Sequence, residues 1–155
     1  MKQVWISPAT FSDMDWLFVC RNQPELYRHG FTPREVSWRE HSEWFAECLD
    51  SPNSYRIFII MLAKTQAGMV RLEKTPFDEA EISIYVLPSE QGSGIGSKAI
   101  EIASKWALNE WGALGVSAFV GHENAASLRA FEKAGYIKDG EWSDGPILTW
   151  GHVRE

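Results

Sequence analysis

A chain of 155 residues, 45% apolar and carrying eight Trp and eight Phe, is sized for one compact core and has the aromatic material to fill it. Twenty-one acidic residues against fifteen basic give a net charge of −6. That balance opposes long-range attraction to nucleic acid or anionic lipid, so a phosphate-bearing ligand would have to be held by local backbone N–H groups.

Met1–Ser7 has one lysine and no long apolar run, so neither a signal peptide nor an anchor is expected, and a cytoplasmic location is. Val4 to Ile6 reads as a first strand and Ser12 to Cys20 as a short helix. Arg21 to Arg34, with Pro24, Gly30 and Pro33, reads as a loop with room for one helical turn. Ser37 and Glu40 form a capping box for a helix whose face carries Trp38, His41, Phe45, Cys48 and Leu49, ending near Asp50 before Ser51-Pro52-Asn53.

Tyr55 to Leu62 is a β-former run suited to cover on both faces, and Gly68 to Leu72 can pair with it. Glu81 to Leu87 alternates, with Ile82, Ile84 and Val86 on one face and Glu81, Ser83, Tyr85 and Leu87 on the other. A helix from about Gly94 to Trp111 follows, with Ile95, Ala99, Ile102, Ala103 and Trp106 on its apolar side. Val116 to Val120 is a strand, Asn124 to Ala134 a helix closed by Gly135, and Tyr136 to Lys138 and Ile147 to Trp150 are closing strands. No repeat or linker interrupts this order, so residues 1–155 form one domain of α+β (mixed α/β) class, with a mixed sheet flanked by helices. Cys20 and Cys48 lack zinc or disulfide spacing and are expected to be buried thiols, with no metal site.

The chemistry centres on QGSGIGS, Gln91 to Ser97, between a strand and a helix. Such a loop aims several N–H groups at one spot, and the helix N-terminus adds roughly half a positive charge. Gly92, Gly94 and Gly96 leave the main chain open to a pyrophosphate oxygen. The loop lacks the last glycine of GxGxxG and the Gly-Lys-Ser/Thr of a P-loop, and no leading βαβ unit precedes it.

Gln91, Gly94 and Gly96 fit the Q/R-x-x-G-x-G/A pattern of the GNAT superfamily. Downstream, Asn124-Ala125-Ala126-Ser127 and Phe131-Glu132-Lys133-Ala134-Gly135-Tyr136 resemble its second cofactor motif. The resemblance covers about Tyr55 to Tyr136. It implies a largely antiparallel sheet of six to seven strands flanked by about four helices and splayed where acetyl-CoA binds. It places the pantetheine arm on main-chain groups of Val86 and Leu87, the pyrophosphate on Gln91, Gly92, Ser93, Gly94, Ile95, Gly96 and Ser97, and Asn124, Ser127 and Phe131 along the arm. The implied activity is acetyl transfer to a primary amine by direct attack on the thioester. A non-catalytic acyl-CoA-binding module is the other reading.

Attack requires a neutral amine, and a lysine-like amine has a pKa of about 10.4, so a base or a desolvating pocket is needed. Glu81 stands where several family members carry the general base, although a strand-end carboxylate paired to a cation is equally compatible with its position. Ser83 and Tyr85 share its face and are candidates to orient the acceptor or relay a proton. The family's usual oxyanion donor is a backbone N–H, here of Val86 or Leu87. Phe131 replaces the tyrosine that many relatives use to protonate the leaving thiolate, which leaves Tyr85 as the candidate acid, with Tyr136 or water as alternatives.

Arg21-Asn22-Gln23-Pro24-Glu25 and His41-x-x-Trp44-Phe45 resemble the N-terminal half of acetyltransferases acting on nucleotide-linked amino sugars. Arg21, Asn22, His41, Trp44 and Ser83 are therefore the acceptor-side candidates, with Arg28 and Arg34 as further phosphate ligands and Trp38 or Trp44 as a stacking surface. Peptide termini and small amines are the alternative acceptors. Trp142 and Trp150 are either a dimer contact or part of a closing strand, so a monomer or a homodimer is expected.

Overall fold

A computed structural model describes residues 3–151. The chain runs β1 (Val4–Pro8), a 3-10 turn at Phe11–Asp13, α1 (Met14–Arg21), α2 (Pro24–Tyr27), α3 (Trp38–Asp50), β2 (Tyr55–Leu62), β3 (Thr65–Lys74) and β4 (Ala80–Val86). A 3-10 turn at Pro88–Glu90 leads into α4 (Ile95–Glu110), β5 (Val116–Phe119), α5 (Ala125–Lys133), β6 (Ile137–Trp142) and β7 (Gly145–Trp150). The described residues form one seven-stranded sheet in the order β1-β2-β3-β4-β5-β7-β6, antiparallel throughout except between β4 and β5. This is the expected mixed, largely antiparallel architecture, with the short α2 as a fifth helix.

The period-two pattern of β2 explains its double cover. Phe58 and Ile60 pack with Val70, Leu72 and Ile82 beneath α4, while Ile57 and Ile59 face Leu17 of α1 and Phe45 and Cys48 of α3. Cys20 and Cys48 are buried free thiols on that second face, and burial pushes each up to about 11. The capping box holds α3 as expected: Ser37 Oγ accepts from Glu40 N at 3.1 Å, and the Glu40 carboxylate accepts from Ser37 N at 3.3 Å.

β6 and β7 run longer than the sequence reading, as Ile137–Trp142 and Gly145–Trp150, and two other differences have identifiable local reasons. The β2–β3 hairpin turns at Ala63 and Lys64, extending β3 back to Thr65. Ala63 takes φ 56 there, a conformation usually given to Gly or Asn, so no turn residue announced it. On α4 the buried face includes Ile100, Ser104 and Ala107, with Ile102 only half-buried. Ile95, Ala99 and Ala103 are buried as expected, and the further small residues let this helix approach the sheet and widen the buried face toward Ile100 and Ser104.

Candidate active site

The sheet comes apart where the site lies. β4 and β5 pair only through Ala80↔Val116 and Glu81↔Ser117, although β4 continues to Val86 and β5 to Phe119. Leu87 N–H donates to Ala67 O on β3 at 2.8 Å, so strand alternation turns the Val86 N–H the other way, into the gap. Of the two expected main-chain donors, Leu87 is thus spent within the sheet and Val86 keeps its N–H facing the opening. A cavity of about 750 Å3 runs through this gap, from the glycine loop on one side to α1, α2 and α3 on the other.

Local conformation fixes the glycine loop. Gly92 and Gly94 have φ 86 and 82, the left-handed region in which a side chain is strained. Gln91 Nε2 donates to Val86 O at 2.9 Å and ties the loop to the end of β4. The first-turn N–H groups of α4 have no partner within the helix, as at any helix N-terminus. Gly96 needs another explanation. Its φ is not positive, and a Cβ there would meet Ala130 Cβ at 3.5 Å and Val86 Cγ2 at 3.6 Å, ordinary contacts. Neither strain nor protein packing requires a glycine at this position, which is what a main chain kept bare for a ligand would show. Gln91, Gly92, Gly94, Gly96 and Ser97 line the cavity. Ser93 and Ile95 do not present their side chains to it: Ser93 Oγ donates to Glu90 O at 3.0 Å and Ile95 is buried in the core.

The second motif meets this loop from α5. Asn124 Oδ1 accepts from Ser127 N at 3.3 Å, so its side chain caps the helix, while both residues border the cavity. Phe131 is only 2% exposed and packs edge-on to Tyr136 at 4.9 Å between ring centres. Sequence reasoning passed over Lys133 and Arg129, which also line the cavity; the Lys133 ammonium would lie 3.4 Å from a Cβ on Gly94. Their i,i+4 spacing on α5 was the available signal. A cradle of bare main chain, a helix N-terminus and a lysine fits the pyrophosphate of coenzyme A.

The candidate catalytic groups fare unequally. Tyr85 lines the cavity beside Cys20, and burial holds the phenol well above its ordinary pKa. Tyr136 is removed as an acid: its hydroxyl shares a 2.6 Å hydrogen bond with Ser104 Oγ, both buried, away from the cavity wall. Glu81 also stands outside that wall, opposite Glu73 on β3. Burial first, then the Glu73 carboxylate, raises its pKa, while Arg71 draws it back down.

On the acceptor side, Arg21 and Asn22 turn out to be builders of the rim. Arg21 donates from Nη1 to Arg34 O at 2.9 Å and from Nη2 to Thr32 O at 2.8 Å. Asn22 exchanges hydrogen bonds with Val36, N–H to Oδ1 at 2.8 Å and Nδ2 to O at 3.0 Å. Together they clamp the segment between α2 and α3. Arg28 is turned to His29, and Arg34 pairs with Glu40 at 3.0 Å, so neither is the open phosphate ligand expected. His41 is 3% exposed among Phe18, Trp38, Trp44 and Phe45. Its Nε2–H donates to Met14 O at 3.1 Å, and burial lowers its pKa. Trp44 and Ser83 line the cavity, and so do Arg21, Arg34 and His41, whereas Asn22 does not. Arg71 lines it too; sequence reading missed it because only the β3–β4 register places it beside Ser83.

Trp142 and Trp150 are used inside the fold. Trp142 donates from Nε1 to Val120 O at 3.2 Å and meets Phe31 across the cavity mouth, and Trp150 stacks on Tyr136. No helix among the described residues is long and apolar enough to cross a membrane.

Residues 3–137 match a family profile described as the acetyltransferase (GNAT) domain. The chain is 22% identical to spermidine N(1)-acetyltransferase of Escherichia coli strain K12 over 140 residues, 89% of this chain and 75% of the relative. Its fold superposes with TM-score 0.85 on spermidine N-acetyltransferase from Vibrio cholerae in complex with CoA and spermine, at 20% identity, covering 96% of this chain and 95% of the other. An aminoglycoside acetyltransferase in complex with coenzyme A gives TM-score 0.83 at 16% identity, covering 96% and 94%.

Proposed function

Because the chain belongs to the GNAT acetyltransferase family and is an acetyl-CoA-dependent N-acetyltransferase, we propose that its acceptor is the primary amine of a small molecule, with a nucleotide-linked amino sugar as the first candidate. The observation that carries this reading is the continuity of one cavity from the glycine loop, through the parted β4 and β5, to the chamber under α1, α2 and α3. The relatives named above act on, or are bound to, small amines. Buried thiols at Cys20 and Cys48 suit a reducing, cytoplasmic compartment.

Acetyl-CoA supplies the acetyl group as a thioester whose carbonyl an amine attacks. Gly92, Gly94, Gly96 and the first-turn N–H groups of α4, with Lys133, hold the pyrophosphate. The Val86 N–H, fixed by the strand and facing the gap, hydrogen-bonds the carbonyl oxygen as negative charge grows on it. Tyr85, which lines the cavity and is kept protonated by burial, gives its proton to the departing thiolate and recovers one from the attacking nitrogen. Its neighbour Cys20 also stays a thiol at neutral pH and so does not take the proton away.

Glu81 lies outside the wall and is not assigned as a direct base. The site therefore favours an amine that is already partly neutral, such as an amino-sugar nitrogen beside electron-withdrawing ring oxygens. The test is thiol release from acetyl-CoA with nucleotide amino sugars, polyamines, free amines and peptide termini as acceptors, using boiled protein as control. Turnover with a small amine and its reduction by about a hundredfold in Tyr85→Phe are the expected results. Activity confined to peptide termini would overturn the small-molecule reading, and unchanged turnover in Tyr85→Phe would remove Tyr85 as the acid.

A further inference from the structure

The sheet floor of the cavity holds a cation with no ion-pair partner among the described residues. Arg71 lies on β3 across from Ser83 of β4, half-buried and facing the cavity. The one hydrogen bond its side chain makes among the described residues is a long one, Nη2 to Ser83 Oγ at 3.4 Å, and no carboxylate there comes within ion-pair distance. The neighbouring arginines of the chamber are already committed. Arg34 and Glu40 cancel each other at 3.0 Å, and the guanidinium of Arg21 is spent on two loop carbonyls. Glu25 is exposed on the short α2. Glu73 and Glu81 form the next same-face cross-strand pair beyond Arg71 and Ser83, close enough for Arg71 to act on Glu81, but neither lines the cavity.

The carboxylates on the cavity wall lie away from the sheet floor: Glu25 and Glu40 are exposed at the helical rim, Glu40 paired with Arg34, and Glu90 sits by the glycine loop. The floor itself presents a guanidinium fork with most of its five donors open. We propose that Arg71, assisted by the Ser83 hydroxyl, binds an anionic oxygen group of the acceptor, phosphate or carboxylate, and so selects acidic amines over polyamines. The inference rests on the acetyl-transfer reading for its substrate but not for its binding site. A bidentate pair to a phosphate or carboxylate would use the Arg71 donors that now lack partners, and holding the anion on the sheet floor would leave the amine at the other end free to reach the gap beside Val86.

The experiment uses matched acceptors that differ in the anion alone: glucosamine 6-phosphate against glucosamine, and 4-aminobutyrate against n-butylamine, with spermidine as the polycation. Rates of thiol release are measured with the wild-type protein, Arg71→Gln and Arg71→Lys. Coenzyme A affinity serves as the control for folding. The anionic member of at least one pair is expected to have kcat/KM about tenfold or more above its neutral partner. That ratio should collapse to within about twofold in Arg71→Gln and fall part way in Arg71→Lys, which keeps the charge but not the fork. Which pair responds tells phosphate from carboxylate.

Equal rates within both pairs, or a preference for spermidine, would overturn the inference and leave acetyl transfer standing. If no acceptor releases thiol, the same ligands are titrated into the protein saturated with coenzyme A and followed by tryptophan fluorescence. Saturable binding of an anionic member, lost in Arg71→Gln, would then sustain the anion site while the transferase reading failed for these amines. Absence of that binding would end the proposal.

Discussion

Replacing Gly96 by alanine separates what the fold needs from what the cofactor needs. The new methyl group would make contacts of 3.5 Å with Ala130 and 3.6 Å with Val86, and no unusual φ stands in its way. A glycine inside a helix costs about 0.5–1 kcal/mol relative to alanine. Gly96 lies in the first turn of α4, so the gain belongs at the lower end, about 0.5 kcal/mol, or a rise in Tm of about 1–2 °C for a domain of this size. Coenzyme A affinity should move the other way. Losing one charge-assisted hydrogen bond between a phosphate oxygen and the main chain corresponds to a Kd about ten- to a hundredfold higher. Gly94→Ala is the comparison: at φ 82 it should lose about 1–2 kcal/mol of stability as well as affinity. Thermal unfolding of the free protein and calorimetric titration with coenzyme A measure both quantities. If Gly96→Ala bound coenzyme A as tightly as the wild type, the pyrophosphate could not lie against that stretch of α4, and the reasoning about the loop would fall.

Two further outcomes follow from buried titratable groups. The Glu81 carboxyl has a folded pKa raised above its unfolded value, by burial first and then by Glu73. The stability this contributes is present below the unfolded pKa and is lost as the pH rises through the folded one, so at pH 7 the ionised carboxylate is a liability. Glu81→Gln should therefore raise Tm at neutral pH and keep near-normal turnover; a loss of about a hundredfold in kcat would make Glu81 the base after all. His41 has the opposite shift for its type: burial lowers its pKa, so its contribution is present above the unfolded value of about 6.5 and is lost as the pH falls through the folded one. Denaturant unfolding from pH 7.5 to 5 should show a decline of up to about 1.4 kcal/mol per pH unit from this residue. That slope should shrink in His41→Gln; an unchanged slope would place the proton uptake elsewhere.

Much of the scaffold was legible because its causes are local. The capping box set the start of α3, the β-branched and aromatic run gave the full extent of β2, and three glycines at alternate positions marked a loop and helix start, two of them at φ values that side chains rarely adopt. The expectations that the structure revised share a different origin. Arg21 and Asn22 read as ligands because residue type says what a group can bind, not what it already holds, and the neighbouring segment claims both. Tyr136 lost its catalytic candidacy to a single hydroxyl on α4, thirty-two positions away in sequence.

The alternation of β4, the glycine loop before α4 and the family resemblance were readable from the chain alone, since each is written in short-range spacing and backbone sterics. Tertiary pairing was needed to show that β4 and β5 separate after Glu81, that Glu81 lies along β4 beyond the cavity lining, and that Arg71 lines the cavity with no ion-pair partner among the described residues while Arg34 is paired and Arg21 holds loop carbonyls. The physical reason is that charge and hydrogen-bonding capacity are settled by partners, and partners in a sheet are chosen by strand order and register.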